Sequence, residues 1–214
     1  MSSHQAQVKK NIWRTVTGLL LFILIVLALF INKFLAPRIL SNDELHASGV
    51  IIFDKPRIIP EFNLIGSADG TANLQDLNGV WTLAFFGFTQ CPDICPETLS
   101  TLAKAYEGLD DDVKSKVQIL FVTLDPARDT PELVQQYINY YLDDGVAFTG
   151  SFLEILKFSR NLNIAFSKVA VSDSYTIDHS SQIAIINPHG HYHGFIKAPH
   201  NRESLMLTLA TLAY

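Results

Sequence analysis

Two cysteines, Cys91 and Cys95, are the residues of this chain whose type and spacing most directly suggest chemistry. They are its only two cysteines, and they follow an apolar run at 80–88 that has the length of a buried strand. A helical pattern begins at Pro96. Thiols at the start of a helix can form a disulfide, exchange electrons with a partner, or bind a soft metal ion. The rest of the sequence bears on which of these uses applies.

A structural disulfide is the simplest use of the pair, but it would close a very short loop. A cross-link stabilises a fold less when the loop that it closes is short. A redox use suits the position of the pair, although the spacing is C-x-x-x-C rather than C-x-x-C. Segment 175–181 also contains no proline, whereas thioredoxin-like reductases usually carry a cis-proline in the corresponding loop. Both uses remain open.

A metal site would need a third ligand, and His179 is the candidate among the seven histidines. It precedes a predicted strand, in a loop that the topology brings over the cysteine turn, where we expect an exposed dithiol. Two thiolates and one imidazole suit Cu(I), because soft sulfur ligands select cuprous copper. Zinc normally takes a fourth ligand, and none is evident. Asp93 and Asp178 flank these ligands, and either could orient a ligand or simply face water.

Three further histidines, His189, His191 and His193, alternate along a predicted hairpin. If the strand begins at His189, all three project from one face, because alternate residues of a strand share a face. Such a set can hold Cu(II) or Ni(II) as a second, weaker site. The alternative is that they are exposed turn and strand residues.

The elements that position these residues follow from apolar periodicity. A β-hairpin is expected at 62–74 with a turn at 67–70, and strands at 80–88, 117–124 and 163–170, followed by a closing hairpin at 182–197. Helices are expected after the cysteine turn and after the capping residues Thr130, Ser151 and Asn201. This order predicts a central mixed sheet with helices on both faces, a thioredoxin-like arrangement. The cysteine turn then lies at the carboxyl end of a strand, where open α/β sheets bind ligands.

An apolar run at 13–31, whose only charged residue is Arg14, precedes this domain. At ~1.5 Å per residue it nearly crosses a hydrocarbon core of ~30 Å, so a single transmembrane helix is expected. The alternative, a cleaved signal peptide, usually has a shorter core and a small-x-small cleavage site. The expected organisation is a cytoplasmic N-terminus at 1–12, the anchor at 13–31, a tether at 32–49 and the thioredoxin-like domain at 50–214.

Charge and orientation narrow the class of partner. The net charge is −5 with no basic tract, which argues against nucleic acid as a partner.

The charges beside the apolar run indicate its orientation. Lys9, Lys10 and Arg14 precede the run, so the positive-inside rule places the N-terminus in the cytoplasm. The domain would then lie in a compartment that permits disulfides. A bacterial inner membrane facing the periplasm is the simplest location. A mitochondrial inner membrane is the alternative, although Met1–Val8 offers little of a transit peptide.

Three segments of the chain resemble the Sco/SenC family. They are Phe86-Gly-Phe-Thr-Gln-Cys-Pro-Asp-Ile-Cys-Pro96, Leu124-Asp-Pro-Ala-Arg-Asp-Thr-Pro131 and Asp178-His-Ser180. The likeness extends from about residue 50 to the C-terminus. Gln90 stands where the family often has a histidine before the first cysteine, a change that we expect to be minor. In the second segment, Arg128 and its acidic neighbours either brace the loop or dock a partner.

The resemblance implies a membrane-anchored thioredoxin-fold protein that binds copper through Cys91, Cys95 and His179. Such a metallochaperone takes copper from an upstream donor and assists assembly of the CuA centre in the copper-binding subunit of cytochrome c oxidase. The alternative is a thiol–disulfide oxidoreductase that uses Cys91 and Cys95 to keep the cysteines of that subunit reduced. A peroxiredoxin-like peroxidase is a weaker possibility, because segment 87–93 lacks the usual residues around a peroxidatic cysteine.

Overall fold

The structure is a computed structural model that describes residues 3–35, 38–66, 70–172 and 174–214. It divides into two compact units, residues 1–38 and residues 39–214. The first contains helix α1, Ser3–Leu35. Within it, Gln7–Ile31 is long and apolar enough to cross a membrane, which agrees with the expected span. The helix is longer than that span and includes most of the predicted cytoplasmic N-terminus, because helix-forming residues continue on both sides of the apolar run.

The second unit contains the remaining elements. Its helices are α2 (Asn42–Ala47), α3 (Ile94–Glu107), α4 (Asp111–Lys114), α5 (Pro131–Asn139), α6 (Phe152–Asn161) and α7 (Arg202–Ala213). Its strands are β1 (Val50–Ile58), β2 (Ile65–Gly66), β3 (Trp81–Gly87), β4 (Val117–Thr123), β5 (Val146–Thr149), β6 (Phe166–Val171), β7 (Ser174–His179), β8 (Ile183–Ile186) and β9 (His191–Ile196). A short 3-10 helix covers Leu74–Leu77.

Seven strands form the central sheet in the order β1-β9-β8-β3-β4-β5-β2. β3, β4 and β5 are parallel, and the other neighbouring pairs are antiparallel, so the predicted mixed sheet is confirmed. Residues 83–86 of β3 are fully buried. Because successive side chains of a strand point to opposite faces, both faces of the sheet are covered at this strand.

The predicted helix starts are confirmed by their caps. The side chains of Thr130, Ser151 and Asn201 accept hydrogen bonds from the first backbone amides of α5, α6 and α7. Each cap satisfies an amide that has no partner inside the helix. The helix after the cysteine turn begins at Ile94, two residues before the expected Pro96.

Residues 39–49, which we expected to belong to the tether, are part of the second unit. Leu40 and Leu45 are buried in its core, and the backbone amide of Leu40 donates to Oγ1 of Thr211 at 2.9 Å. Ser41 and Glu44 form a capping box that starts α2. Polar residues between two leucines concealed this short helix in the sequence.

The first hairpin differs from expectation. Within the described residues of 62–74, Leu64 and Ala72 form a single antiparallel bridge, whereas β2 pairs with β5. Residues 67–69 of the expected turn lie outside the described part of the chain. The segment predicted as an extended lead-in contains β1, an edge strand paired with β9. Pro56 lies where that pairing is irregular, at a position where proline is tolerated in an edge strand.

Candidate metal centre

The turn between β3 and α3 carries both cysteines. The backbone amide of Cys91 donates to the carbonyl of Phe88 at 3.2 Å, which folds the chain back after the strand. Because α3 begins at Ile94, Cys95 lies in its first turn. Both cysteines are free thiols.

His179 lies beside this turn. One ring nitrogen of His179, Sγ of Cys91 and Sγ of Cys95 supply three ligand atoms that all lie within 4.8 Å of one another. Nε2 of His179 is 3.5 Å from Sγ of Cys95, and Nδ1 is 3.0 Å from the carbonyl oxygen of Ser180. Since a carbonyl can only accept, Nδ1 carries a proton, and Nε2 is the ring nitrogen on the side of Cys95 that is available to bind a metal ion. The three residues named from the sequence therefore converge on one point.

Two expectations about this site were wrong. His179 ends strand β7 instead of lying in a loop, because segment 174–179 pairs with β6 in a separate two-stranded ribbon. Its many polar residues gave no strand pattern. The thiols are also buried rather than exposed, with 8% of Cys91 and none of Cys95 accessible. The rings of Phe85 and Phe88 lie edge-on to the imidazole of His179.

The two thiols differ in acidity. The hydrogen bond with Cys95 lowers the pKa of Cys91 to about 4, against the opposing effect of burial; His179 and the backbone amides of Asp93 and Cys95 add to the lowering. The pKa of Cys95 is raised, first by that same pairing and then by burial. The Cys91 thiolate therefore accepts a hydrogen bond from the thiol of Cys95. The amides at the start of α3 help to stabilise the negative charge of Cys91.

Access to the site is on the histidine side. An open cavity of about 450 Å³ is lined by Ala165, Phe166, Ser167, Asp178, His179 and Ser180. His179 is half-buried and Asp178 is exposed. An incoming ligand can therefore reach the imidazole more directly than either sulfur.

Gly87 and Asp129 support the turn. Both lie in the motifs quoted above, and Asp129 is one of the acidic neighbours of Arg128 for which loop bracing was one of the two expected roles. A β carbon at Gly87 would lie 2.6 Å from Sγ of Cys95, so the sulfur occupies space that only glycine leaves open. The buried carboxylate of Asp129 accepts bonds from the amide and hydroxyl of Thr89 and from the hydroxyl of Thr123. Thr89 lies two residues before Cys91, so this carboxylate fixes the start of the turn.

The other residues considered from the sequence do not join this group. Asp93 and Asp178 are exposed, and Asp93 acts on Cys91 through its backbone amide. In the described part of the chain, the only group of three or more potential metal ligands is that of Cys91, Cys95 and His179. His193 packs against the ring of Trp81, with centroids 5.0 Å apart, while His189 precedes β9. The histidine set of the hairpin thus does not form a three-ligand site.

Comparisons with known proteins agree with this geometry. The sequence model of the SCO1/SenC family matches residues 53–213. A candidate copper-binding protein of Stutzerimonas stutzeri is 32% identical over 169 residues, which cover 78% of this chain and 83% of the relative. The chain belongs to the SCO1/SenC family. Mitochondrial SCO1 homolog 1 of Arabidopsis thaliana is 33% identical over 145 residues, but this alignment spans only 43% of that protein.

Solved structures of the family have the same fold. Arabidopsis thaliana ScoI with copper bound superposes with a TM-score of 0.64 at 31% identity, covering 72% of this chain and 97% of that one. Bradyrhizobium japonicum ScoI with copper bound gives 0.66 at 28% identity, covering 72% and 99%. The predicted thioredoxin-like fold of the Sco family is therefore confirmed.

Proposed function

We propose that this chain is a copper metallochaperone that binds one copper ion through Cys91, Cys95 and His179. The observation that carries the proposal is the convergence of the three ligand atoms within 4.8 Å. Two sulfur atoms and one imidazole nitrogen form a donor set that suits Cu(I), and a three-ligand site satisfies that ion. The copper-bound Sco structures of related chains support the same metal.

Delivery follows from the ligand arrangement. Copper is the cargo, received from an upstream donor and passed to the copper-binding subunit of cytochrome c oxidase, where it enters the CuA centre. Transfer proceeds by ligand exchange, in which each incoming ligand replaces one of the three. The open cavity beside His179 gives an incoming ligand a path to the imidazole. The buried sulfur atoms would then be the last ligands to release the ion.

Copper content of the full chain in detergent tests this proposal. The reduced protein should bind one Cu(I), and X-ray absorption should report sulfur and nitrogen ligands together. Cys91→Ser, Cys95→Ser and His179→Ala should each lose most of the binding, because two remaining ligands hold the ion less tightly. A matched control is His46→Ala, which changes an exposed histidine of α2. Unchanged copper binding in all three site variants would refute the proposal.

The acidity of Cys91 favours a second candidate, a thiol–disulfide oxidoreductase. The Cys91 thiolate would attack a disulfide of the oxidase subunit, forming a mixed disulfide and expelling one thiolate. Cys95 would then lose its proton and attack the sulfur of Cys91, closing the Cys91–Cys95 disulfide and releasing the second thiol. Two electrons thus pass from this dithiol to the partner's disulfide. His179→Ala should largely spare this activity while abolishing copper binding, so one variant separates the two candidates.

Location forms part of the proposal. Helix α1 would anchor the chain in a bacterial inner membrane with the second unit in the periplasm, since Lys9, Lys10 and Arg14 precede the apolar run. C-terminal fusions to alkaline phosphatase and to green fluorescent protein test this orientation. Only the phosphatase fusion should be active. A fluorescent, phosphatase-inactive pair would place the domain in the cytoplasm and overturn the assignment.

A further inference from the structure

The ribbon of β6 and β7 carries His179, but it is not a part of the central sheet. It forms its own two-stranded sheet, whereas the cysteine turn continues directly from β3 of the seven-stranded sheet. Strand pairing within the central sheet therefore cannot fix the distance between the imidazole and the thiols. The short connection 180–182 joins β7 to β8, and contacts between the ribbon and the cysteine turn supply the remaining restraint.

Arg128 supplies contacts to both sides. Its Nη1 donates to Oε1 of Gln90 at 3.0 Å and to the backbone carbonyl of Tyr175 at 3.1 Å. Gln90 is the residue before Cys91, and Tyr175 lies in β7, the strand that ends at His179. One guanidinium nitrogen thus joins the turn that carries the thiols to the strand that carries the imidazole.

The guanidinium is itself held in place. Its Nε donates to the buried carboxylate of Asp125, which also accepts a 2.8 Å bond from the hydroxyl of Tyr175. The guanidinium carbon lies 3.9 Å from the centre of the Tyr175 ring and 5.7 Å from that of Phe88. The side chain of Arg128 is only 19% exposed. Partial burial makes these charge-assisted contacts stronger than equivalent contacts in water.

We propose that Arg128 is a positioning residue that holds His179 at bonding distance from Cys91 and Cys95. The inference rests on the copper site proposed above and concerns how its third ligand is fixed. Lysine cannot replace arginine here, because an ammonium group has neither the planar fork nor the stacking face. The proposal also assigns a role to Gln90, whose amide oxygen accepts the hydrogen bond of Arg128 on the side of the cysteine turn.

The test compares Arg128→Lys and Arg128→Gln with wild type, using the full chain in detergent and two readouts. Competition with a Cu(I) chelator measures affinity, which should fall about 10-fold for lysine and up to about 100-fold for glutamine, the range found when residues behind metal ligands are changed. Hydrogen–deuterium exchange of the metal-free protein should rise in peptides covering Ser174–Ser180, but not in peptides covering β8 and β9.

Arg57→Lys is the matched control. Arg57 also stacks on aromatic rings, 4.7 Å from that of Tyr192 and 5.1 Å from that of Phe53. It lies opposite the start of β9, away from the cysteine turn. Both readouts should remain at wild-type values. A merely structural effect of losing a stacked arginine would appear in both proteins.

The outcomes separate this inference from the proposed function. If Arg128 positions His179, the Arg128 variants must change both the Cu(I) affinity and the hydrogen–deuterium exchange of the ribbon. A change in only one of these readouts, or in neither, overturns the inference. If the wild type binds no copper, the proposed function fails, and exchange of the ribbon alone decides whether Arg128 holds it. If both Arg128 variants fail to fold, Gln90→Ala replaces them. It should give smaller changes of the same sign in both readouts, and wild-type values would overturn the inference.

Discussion

Sγ of Cys95 and Nε2 of His179 lie 3.5 Å apart, although 84 residues separate them in the chain. A buried thiol, a thiolate and an imidazole thus meet where the first parallel strand of the sheet ends. The hydrogen bond between the two cysteines divides their acidity, so that Cys91 carries the charge and Cys95 the proton.

This division predicts the pH at which the thiolate forms. In the reduced, metal-free protein, the ultraviolet absorbance of one thiolate should persist from neutral pH down to about pH 4, because the pKa of Cys91 is lowered to that value. Its ionisation stabilises the fold fully above the ordinary pKa of 9.0, and this contribution is lost as the pH falls to about 4. Cys91→Ser should show no thiolate absorbance at neutral pH. A midpoint near 9.0 in the wild type would contradict the prediction.

Gly87→Ala should damage the site without changing a ligand. The added β carbon would lie 2.6 Å from Sγ of Cys95 and 3.1 Å from Cε2 of Phe121, so the sulfur has to move. We expect a loss of about 1–3 kcal/mol in unfolding free energy, as for other overpacked cores, together with weaker copper binding. Chemical denaturation and chelator competition measure the two effects. Gly66→Ala is the control, since its β carbon would make an ordinary 3.6 Å contact with Ala72.

Asp129→Asn should loosen the turn from beneath. The carboxylate accepts bonds from Thr89 and Thr123, and an amide cannot accept all of them at the same strength. Stability should fall by about 1–3 kcal/mol, the usual effect of leaving buried donors poorly satisfied. Urea denaturation of the reduced protein measures this. Asp112→Asn, which removes an exposed ion pair with Lys116, should leave the stability close to that of the wild type. Equal effects in both variants would count against the role of Asp129.

Leu45→Ala tests whether α2 belongs to the domain. Leu45 is only 4% exposed and packs in the core, so truncation should remove about 2–5 kcal/mol of stability. Ile39→Ala, at a position that is 56% exposed, should have an effect within about 0.5 kcal/mol. If the two variants were equally stable, residues 39–49 would act as a tether after all.

Copper stoichiometry tests the histidines of the hairpin. Since His189, His191 and His193 form no three-ligand group in the described structure, the chain should bind one copper ion and His179→Ala should bind almost none. Equilibrium dialysis provides the count. Replacing all three hairpin histidines with alanine should leave the value at one. Residual binding in His179→Ala that disappears with this triple change would reveal a second site.

Much of this fold could be predicted because its strongest signals are local. A strand or a helix start is indicated within a few residues by the apolar run of β3 and by the capping residues Thr130, Ser151 and Asn201. Three strands escaped prediction: β1 contains three charged residues and a proline and pairs with the distant β9, β5 is only four residues long, and β7 is rich in polar residues. Propensity is a weak guide for such strands.

The site divides in the same way. The ligands Cys91, Cys95 and His179 could be named from residue type, spacing and family motifs. The burial of the two thiols could not, because it depends on how the whole domain packs around the turn. The hydrogen bonds from Arg128 to Gln90 and Tyr175 join three segments that are distant in the chain. Such contacts produce no periodic pattern in the sequence from which they could be predicted.

The separate ribbon has a consequence for coordination number. Two ligands are attached to the end of the central sheet and the third to a two-stranded element that shares no strand pairing with it. A small displacement of that element would take a bound ion from three ligands to two without breaking a single pair in the seven-stranded sheet. The fold thus allows one coordination position to be vacated while the strand pairing of the central sheet stays unchanged.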